Sequence, residues 1–468
     1  MKLEIKSNNL FNYFKNTYLF FLVFTILFGR SFTGLTIIGF RLGELMIAFS
    51  LIVSIIFMFL PIKYLDTNFG KFNFYTHKLI ILSFPIIVIL TNGDFLNPYT
   101  YQSSAYIWTL GFLLISNFIF SKNEINNYFF KIVPFFLPLL YILSTIKFPN
   151  FLMNFFIQYS DKFDFVKASD LLLAFVATNF ILKMIYKSNT FDFNYFVLSS
   201  AVYLPYLLFK SKGAFFPAII FIFFNMFSYL KYINKNRLNS FLILVVSVII
   251  FLSSAFHIYG NFNFTKMGQD NYENINITNT DNVIDNLSKL VNEKNTSQIF
   301  ASFYIYDGRL YSQEQMADWR LQIWQDVIRD LYSNANYSVD SKGTVRRQQT
   351  TLKSDMFYKG HGYNDILPAM KFDERSGTDG TNQNPHNFLI YSFGRGGVFH
   401  GILIMLFHLS IFVYFYKKEK SFNILLFIAP VLMTSFFDAS MESVRFPFIY
   451  YAFLSIIYNF KTSNKIND

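Results

Sequence analysis

The chain has 468 residues, of which 53% are hydrophobic, 21% aromatic and only 15% charged. Soluble domains carry about 25% charged residues, so this composition excludes a water-soluble globule, a disordered chain and a collagen-like fibre, and leaves a polytopic membrane protein. The net charge of +11 fits cytoplasmic loops that collect Lys and Arg rather than nucleic-acid binding, and the absence of Cys excludes thiol catalysis, disulfides and Cys-based metal sites.

Apolar stretches able to cross about 30 Å of hydrocarbon occur at 16–29, 42–62, 79–92, 103–120, 128–146, 169–186, 192–209, 213–230, 240–258, 388–416, 421–437 and 444–460. This predicts an all-α polytopic membrane protein of about twelve transmembrane helices. The first stretch follows Lys2, Lys6 and Lys15 and precedes Gly29-Arg30-Ser31, with no small-residue cleavage pattern, and reads as a retained signal-anchor. Alternate loops carry Lys63, Lys71 and Lys78; Lys122 and Lys131; Lys183 and Lys187; Lys231, Lys235 and Arg237; and Lys417, Lys418 and Lys420. The tail carries Lys461 and Lys465, and the positive-inside rule then puts both termini in the cytoplasm.

Three parts follow: 1–258 with helices one to nine, 259–387 as one large outer loop, and 388–468 with helices ten to twelve and a cytoplasmic tail. Within the loop, 261–282 is Asn-rich and loose, and 283–294 is a weak helix. Ser312 to Gln315 reads as a capping box, opening a helix whose Met316, Trp319, Ile323, Val327 and Leu331 share one stripe. Residues 376–384 are a loop by composition.

Candidate chemistry gathers on the outer side. Asn384-Pro385-His386-Asn387 precedes the tenth apolar stretch, which itself holds Gly394-Arg395-Gly396-Gly397. A His at the water–membrane boundary can take a proton from an attacking hydroxyl or orient it, and the glycines permit close packing or a break in the helix. Equally, His386 fits a loop His beside a helix start. Arg320, between Trp319 and Trp324, offers a fork of donors to a phosphate or pyrophosphate, or is a solvated Arg with partners on its helix. Gly360-His361-Gly362 permits a positive-φ turn whose N–H groups could face an anion.

Arg41 and Glu44 can pair across one turn at the head of the second span. Lys210 and Lys212 sit in a short outer loop against the positive-inside trend, where a cationic loop could receive a lipid pyrophosphate. Asp438, Glu442 and Arg445 read as a structural network. An outer-loop Asp-x-Asp, a phosphate-binding loop, a dinucleotide fingerprint and a His-Glu-x-x-His site are all missing from the sequence, and no metal site or cofactor is expected.

The ordered set Arg41-Leu-x-Glu44, Arg320-Leu-x-x-Trp324, Gly360-x-Gly362, His386-Asn387 and Gly394-Arg395-Gly396-Gly397 resembles the O-antigen ligase and O-antigen polymerase family of bacterial envelopes. It covers 309–415, and the rest of the chain only through topology. The resemblance implies the lipid-sugar glycosyltransferase type of fold in the bacterial inner membrane, with the large loop and the active site on the periplasmic face. The donor would be a glycan on undecaprenyl pyrophosphate. The acceptor would be lipid A–core for a ligase, or another lipid-linked glycan for a polymerase, with a chain-length regulator or other assembly proteins as further partners and no metal or nucleotide sugar. His386 and Arg320 would then be catalytic, the His activating the acceptor hydroxyl and the Arg meeting the leaving pyrophosphate. Arg41, Glu44, Lys210, Lys212, Gly360, Gly362, Asn387, Arg395 and Gly397 would contact substrate. Lys210 and Lys212 stand where the family usually has Arg. The outer loops lean toward a ligase. A polysaccharide transporter or flippase stays open as another class, although it should show internal repeats; so does a non-catalytic assembly scaffold.

Overall fold

A computed structural model describes residues 2–60, 71–121, 127–187, 189–261, 303–306, 308–312, 315–339, 345–353, 355–371, 383–419 and 422–463. The expected segment 283–294, most of 261–282, and 376–382 lie outside these residues. Among the described residues the chain is mainly helical, with three two-stranded hairpins, Thr36–Ile37 with Phe40–Arg41, Phe303–Tyr306 with Arg309–Ser312, and Ser333–Val339 with Val345–Lys353.

Six described helices are long and apolar enough to cross a membrane: Phe11–Thr33, Leu42–Phe59, Phe129–Ile146, Ala168–Tyr186, Arg237–Gly260 and Phe388–Lys417. Four shorter apolar helices accompany them. Expected spans 192–209 and 444–460 form the helices Thr190–Lys210 and Arg445–Ser463. The coarse expectation, a helical membrane protein, is met; six helices meet the length and hydropathy needed for crossing, against the twelve expected.

Two helices show how sequence sets position. Every residue from Ser169 to Leu182 is buried, because Ala168–Tyr186 packs against Thr190–Lys210, Lys212–Ser228, Leu425–Ser435 and Arg445–Ser463. A helix apolar on all sides belongs inside a bundle or a bilayer. Arg237–Asn261 lies instead at the edge, and its Phe241, Leu242, Val248, Ile249 and Leu252 are more than half exposed, a surface that needs lipid around it.

Polar side chains account for the broken spans. Expected span 103–120 is divided into Ala105–Trp108 and Gly111–Ser121. Ser50 Oγ donates to the Trp108 carbonyl at 2.6 Å, and a Cβ on Gly111 would lie 2.4 Å from that same Oγ. Expected span 128–146 is interrupted around Pro134 and Pro138, where proline removes a donor and crowds the preceding turn. Tyr195 and Tyr203 hydroxyls donate to the carbonyls of Pro134 and Leu137, both at 2.7 Å.

The largest departure concerns 388–416, expected as one span. The helix Phe388–Glu419 contains Gly397 at φ 71, ψ −174. A straight helix would set Phe388 and His408 about 30 Å apart, yet their rings are 5.9 Å apart. The Phe393 ring lies where a Cβ on Gly401 would sit, at 2.5 Å. The two arms, 388–396 and 398–419, therefore fold back on each other, with the reversal at Gly397. The helix Gln315–Tyr332 follows the first arm: Trp319 meets His386 and a Cβ on Gly394 would meet Val327. Its Ile323, Val327 and Leu331 are buried, the stripe expected from helical spacing. The helix begins at Gln315, with the Ser312 N–H donating to Asp318 Oδ1 at 2.9 Å.

The Gly360-His361-Gly362 turn latches this reversal. A helix end leaves its last carbonyls without partners. Here the His361 and Gly362 N–H groups donate to the carbonyls of Gly394 and Arg395, each at 2.9 Å, and the Gly360 N–H to Met356 at 2.8 Å. Gly360 is at φ 70, and a Cβ on Gly360 or Gly397 would come within 2.3 Å of the facing backbone. Gly397→Ala therefore combines a disfavoured φ, worth about 1–3 kcal/mol, with a backbone collision. We expect a lower thermal midpoint and poor recovery of folded protein from detergent, checked by fluorescence-detected size exclusion during heating; wild-type behaviour would contradict the latch.

Candidate active site around His386

The turn 436–444, between the helices Leu425–Ser435 and Arg445–Ser463, is where the ends of several elements meet. Asn387 Nδ2 donates to the Phe436 carbonyl at 3.1 Å. The Trp324 and Phe437 rings are 6.4 Å apart, and a Cβ on Gly213 would lie 2.9 Å from Phe437 Cβ. A Cβ on Gly43 would lie 3.3 Å from Val444 Cγ2. Arg445 Nε reaches Asp170 Oδ2 at 2.5 Å, both side chains being nearly inaccessible.

His386 stands against this turn. Its Nδ1 is 3.9 Å from Asp438 Oδ1, and the two side chains stay 24% and 30% exposed, enough for a substrate to reach them. The Trp319 ring packs edge-on at 5.6 Å, and Trp324 Nε1 donates to the Pro385 carbonyl at 2.6 Å. The backbone of His386 is at φ 53. A left-handed conformation is uncommon outside glycine, and such strain gathers at functional sites. Asp438 lies on the Nδ1 side of the ring, so Nε2 is the nitrogen turned away from it.

Asp438 is well placed for that role. Burial pushes its carboxyl up, but pairing with His386, the charge of Lys167 and the Ser169 hydroxyl outweigh burial and hold it well below the usual carboxylate range. It is an anion at any working pH, and can stabilise positive charge that develops on His386.

Arg320 is half-buried on the helix that brings Trp319 to His386. Lys210 Nζ donates to the Val166 carbonyl at 3.0 Å and lies 5.4 Å over the Tyr206 ring, next in sequence to Lys167. Lys212 opens its helix beside Phe437. Arg41 and Glu44 stand at the head of the helix whose Gly43 faces Val444. Arg41 Nε is 4.0 Å from Glu44 Oε1 and 3.4 Å from Asp161 Oδ2, and Arg30 also binds Asp161 at 3.3 Å. The expected Arg41–Glu44 pair forms, with Asp161 as a further anchor.

Five candidates take a structural place instead. The Asn387 carboxamide oxygen accepts from the Ile390 N–H at 3.0 Å while its nitrogen holds Phe436, so it caps the folded-back arm. Arg395 is fully buried. It donates to the Gly362 carbonyl at 3.1 Å, to the Asp365 carbonyl and to the Tyr99 hydroxyl at 3.0 Å, between the rings of Tyr391 and Tyr99. Gly360, Gly362 and Gly397 belong to the same latch, about 14 Å up the arm from His386. The turn expected to face an anion gives its N–H groups to carbonyls, because the arm's end requires them. Among the described residues, no group of three or more His, Asp or Glu side chains could hold a metal ion.

The cluster therefore combines a strained His with a fixed anion on one side and the Trp319 ring on another, with Arg320 next in sequence to that Trp. It can deprotonate a hydroxyl and receive an anionic group beside it. Sequence reasoning placed Asp438 only in a structural network and did not single out Asp161, Lys167 or Asp170. Comparison with known proteins identifies no relative: no family model, no curated protein and no solved structure matches this chain.

Proposed function

We propose that this protein is an integral membrane glycosyltransferase that moves an undecaprenyl-pyrophosphate-linked glycan to a sugar hydroxyl, as O-antigen ligases do, with repeat-unit polymerisation as the alternative acceptor choice. The observation that carries the reading is the His386–Asp438 pair with the Trp319 ring against it and Arg320 next in sequence to that Trp. In this mechanism the acceptor oxygen attacks the anomeric carbon while its proton passes to His386 Nε2. The bond from that carbon to the pyrophosphate oxygen breaks, and the lipid pyrophosphate leaves with its added negative charge. Asp438 stabilises the imidazolium; Arg320, with Lys210 and Lys212 nearby, meets the leaving group. The enzyme would lie in the bacterial inner membrane with this site on the periplasmic face and both termini in the cytoplasm.

Deletion of the gene tests the reading through the host's lipopolysaccharide profile. Loss of every glycan-bearing lipid A–core band, with lipid-linked polymer accumulating, is the ligase result. Core bearing one repeat unit is the polymerase result. An unchanged surface-glycan profile, exopolysaccharide included, would contradict both.

A further inference from the structure

The hairpin of Thr36–Ile37 with Phe40–Arg41 has an apolar tip. Its register pairs Thr36 with Arg41 and Ile37 with Phe40, which leaves Ile38 and Gly39 as a two-residue turn. Both have positive φ, 53 and 82. Such turns favour Asn-Gly or Asp-Gly, and a β-branched residue at positive φ is an outlier. Yet Ile38 stands there 94% exposed, and Phe40 beside it is more than half exposed. In water an Asn at this position would be less strained and better solvated. An Ile gains only where its surroundings are apolar.

A second element continues this surface. The helix Asn150–Tyr159 is tied to the hairpin at its end. Leu35 bridges Ser160, the Asp161 N–H donates to the Gly34 carbonyl at 2.9 Å, and Asp161 Oδ2 holds Arg30 at 3.3 Å and Arg41 at 3.4 Å. Phe156 turns inward, its ring 5.2 Å from that of Phe28. Phe151 and Ile157 are more than half exposed, with the exposed Asn154 and Gln158 between them.

Helix length places the two elements at a membrane border. Leu42–Phe59 and Phe129–Ile146 have 18 residues each. The helix that opens at Lys2 kinks at Gly29 (φ 50, ψ −122), so its apolar part, 11–28, is equally long. Eighteen helical residues rise about 27 Å, close to the hydrocarbon thickness of about 30 Å. The first of these helices runs into the hairpin, the second starts directly after it, and the third ends shortly before Asn150. Hairpin and short helix thus begin where the hydrocarbon ends, and their exposed apolar side chains continue three surfaces that already need lipid.

We propose that the hairpin Thr36–Arg41 and the helix Asn150–Tyr159 form a lipid-docking collar. Ile38, Phe40, Phe151 and Ile157 enter the boundary between headgroups and acyl chains, and Arg30 and Arg41 lie at the level of the lipid phosphates. The proposal is independent of the transferase reading.

The test is the depth of a nitroxide label on full-length protein in vesicles of phosphatidylethanolamine and phosphatidylglycerol. The chain has no Cys, so each introduced thiol is labelled alone. Ile38→Cys and Ile157→Cys probe the collar. Leu252→Cys, more than half exposed on the edge helix, is the lipid reference, and Asp355→Cys, three-quarters exposed, is the water reference. The collar labels are expected to relax more with oxygen, which concentrates in lipid, than with a water-soluble nickel chelate, at a depth between the two references. Ile157→Cys reads the same surface if Ile38→Cys fails to insert. Collar labels that meet the chelate as freely as Asp355→Cys does would place the collar in water and overturn the proposal. Labels shielded from both reagents would overturn it in favour of a covering protein surface.

Discussion

On the proposed mechanism, His386→Ala is expected to abolish glycan transfer, with the rate falling about a hundredfold to ten-thousandfold, the range for loss of a positioned general base. The expectation comes from geometry: a left-handed backbone at φ 53 holds the imidazole against Asp438 and under the Trp319 ring. Asp438→Asn keeps the shape and removes the charge, so its loss is smaller than that of His386→Ala. The His386 side chain is partly exposed and supports no buried core, so both variants insert and melt as wild type does. Band intensity on a lipopolysaccharide gel, normalised to membrane-inserted protein, reads the result. Wild-type transfer by His386→Ala would remove the residue from the mechanism.

The second large effect is at Arg320. Its guanidinium is assigned to the pyrophosphate, whose charge grows as the glycosidic bond breaks, and loss of such a contact costs about a hundredfold to a thousandfold. Arg320→Lys keeps the charge and loses the fork, so it recovers only part of the activity. Lys210→Ala and Lys212→Ala fall by less, because Lys210 is engaged with the Val166 carbonyl and the Tyr206 ring. Transfer rates at saturating donor separate these variants. Equal losses at Arg320 and at both lysines would place the leaving group elsewhere.

Much of the fold is legible in the sequence for simple reasons. Apolar length reports helices that need lipid, and helical spacing reports the buried stripe of Ile323, Val327 and Leu331. Hydropathy does not sense direction, however. Residues 388–416 read as one long span because both arms are apolar, and only the glycines at 394, 396, 397 and 401 hint at a reversal. The Gly360-His361-Gly362 turn shows a related limit. Its positive φ at Gly360 and Gly362 follows from sequence, but the destination of its N–H groups depends on which helix end lies opposite. The pairing of His386 with Asp438 joins residues far apart along the chain through the packing of the 436–444 turn, and no local pattern records it. Arg395 reads as a substrate contact from its charge; its complete burial among carbonyls and tyrosine rings makes it a pin for the latch.

The most direct test of the central claim is reconstituted transfer. Purified full-length protein in nanodiscs is given undecaprenyl-pyrophosphate-linked glycan and lipid A–core, with a second reaction that contains the lipid-linked glycan alone. Wild type is expected to release undecaprenyl pyrophosphate in step with glycan appearing on core, or on a second lipid-linked glycan, and His386→Ala to do neither. Folded wild-type protein that releases no undecaprenyl pyrophosphate with either acceptor, or transfer that proceeds equally well in His386→Ala, would contradict it.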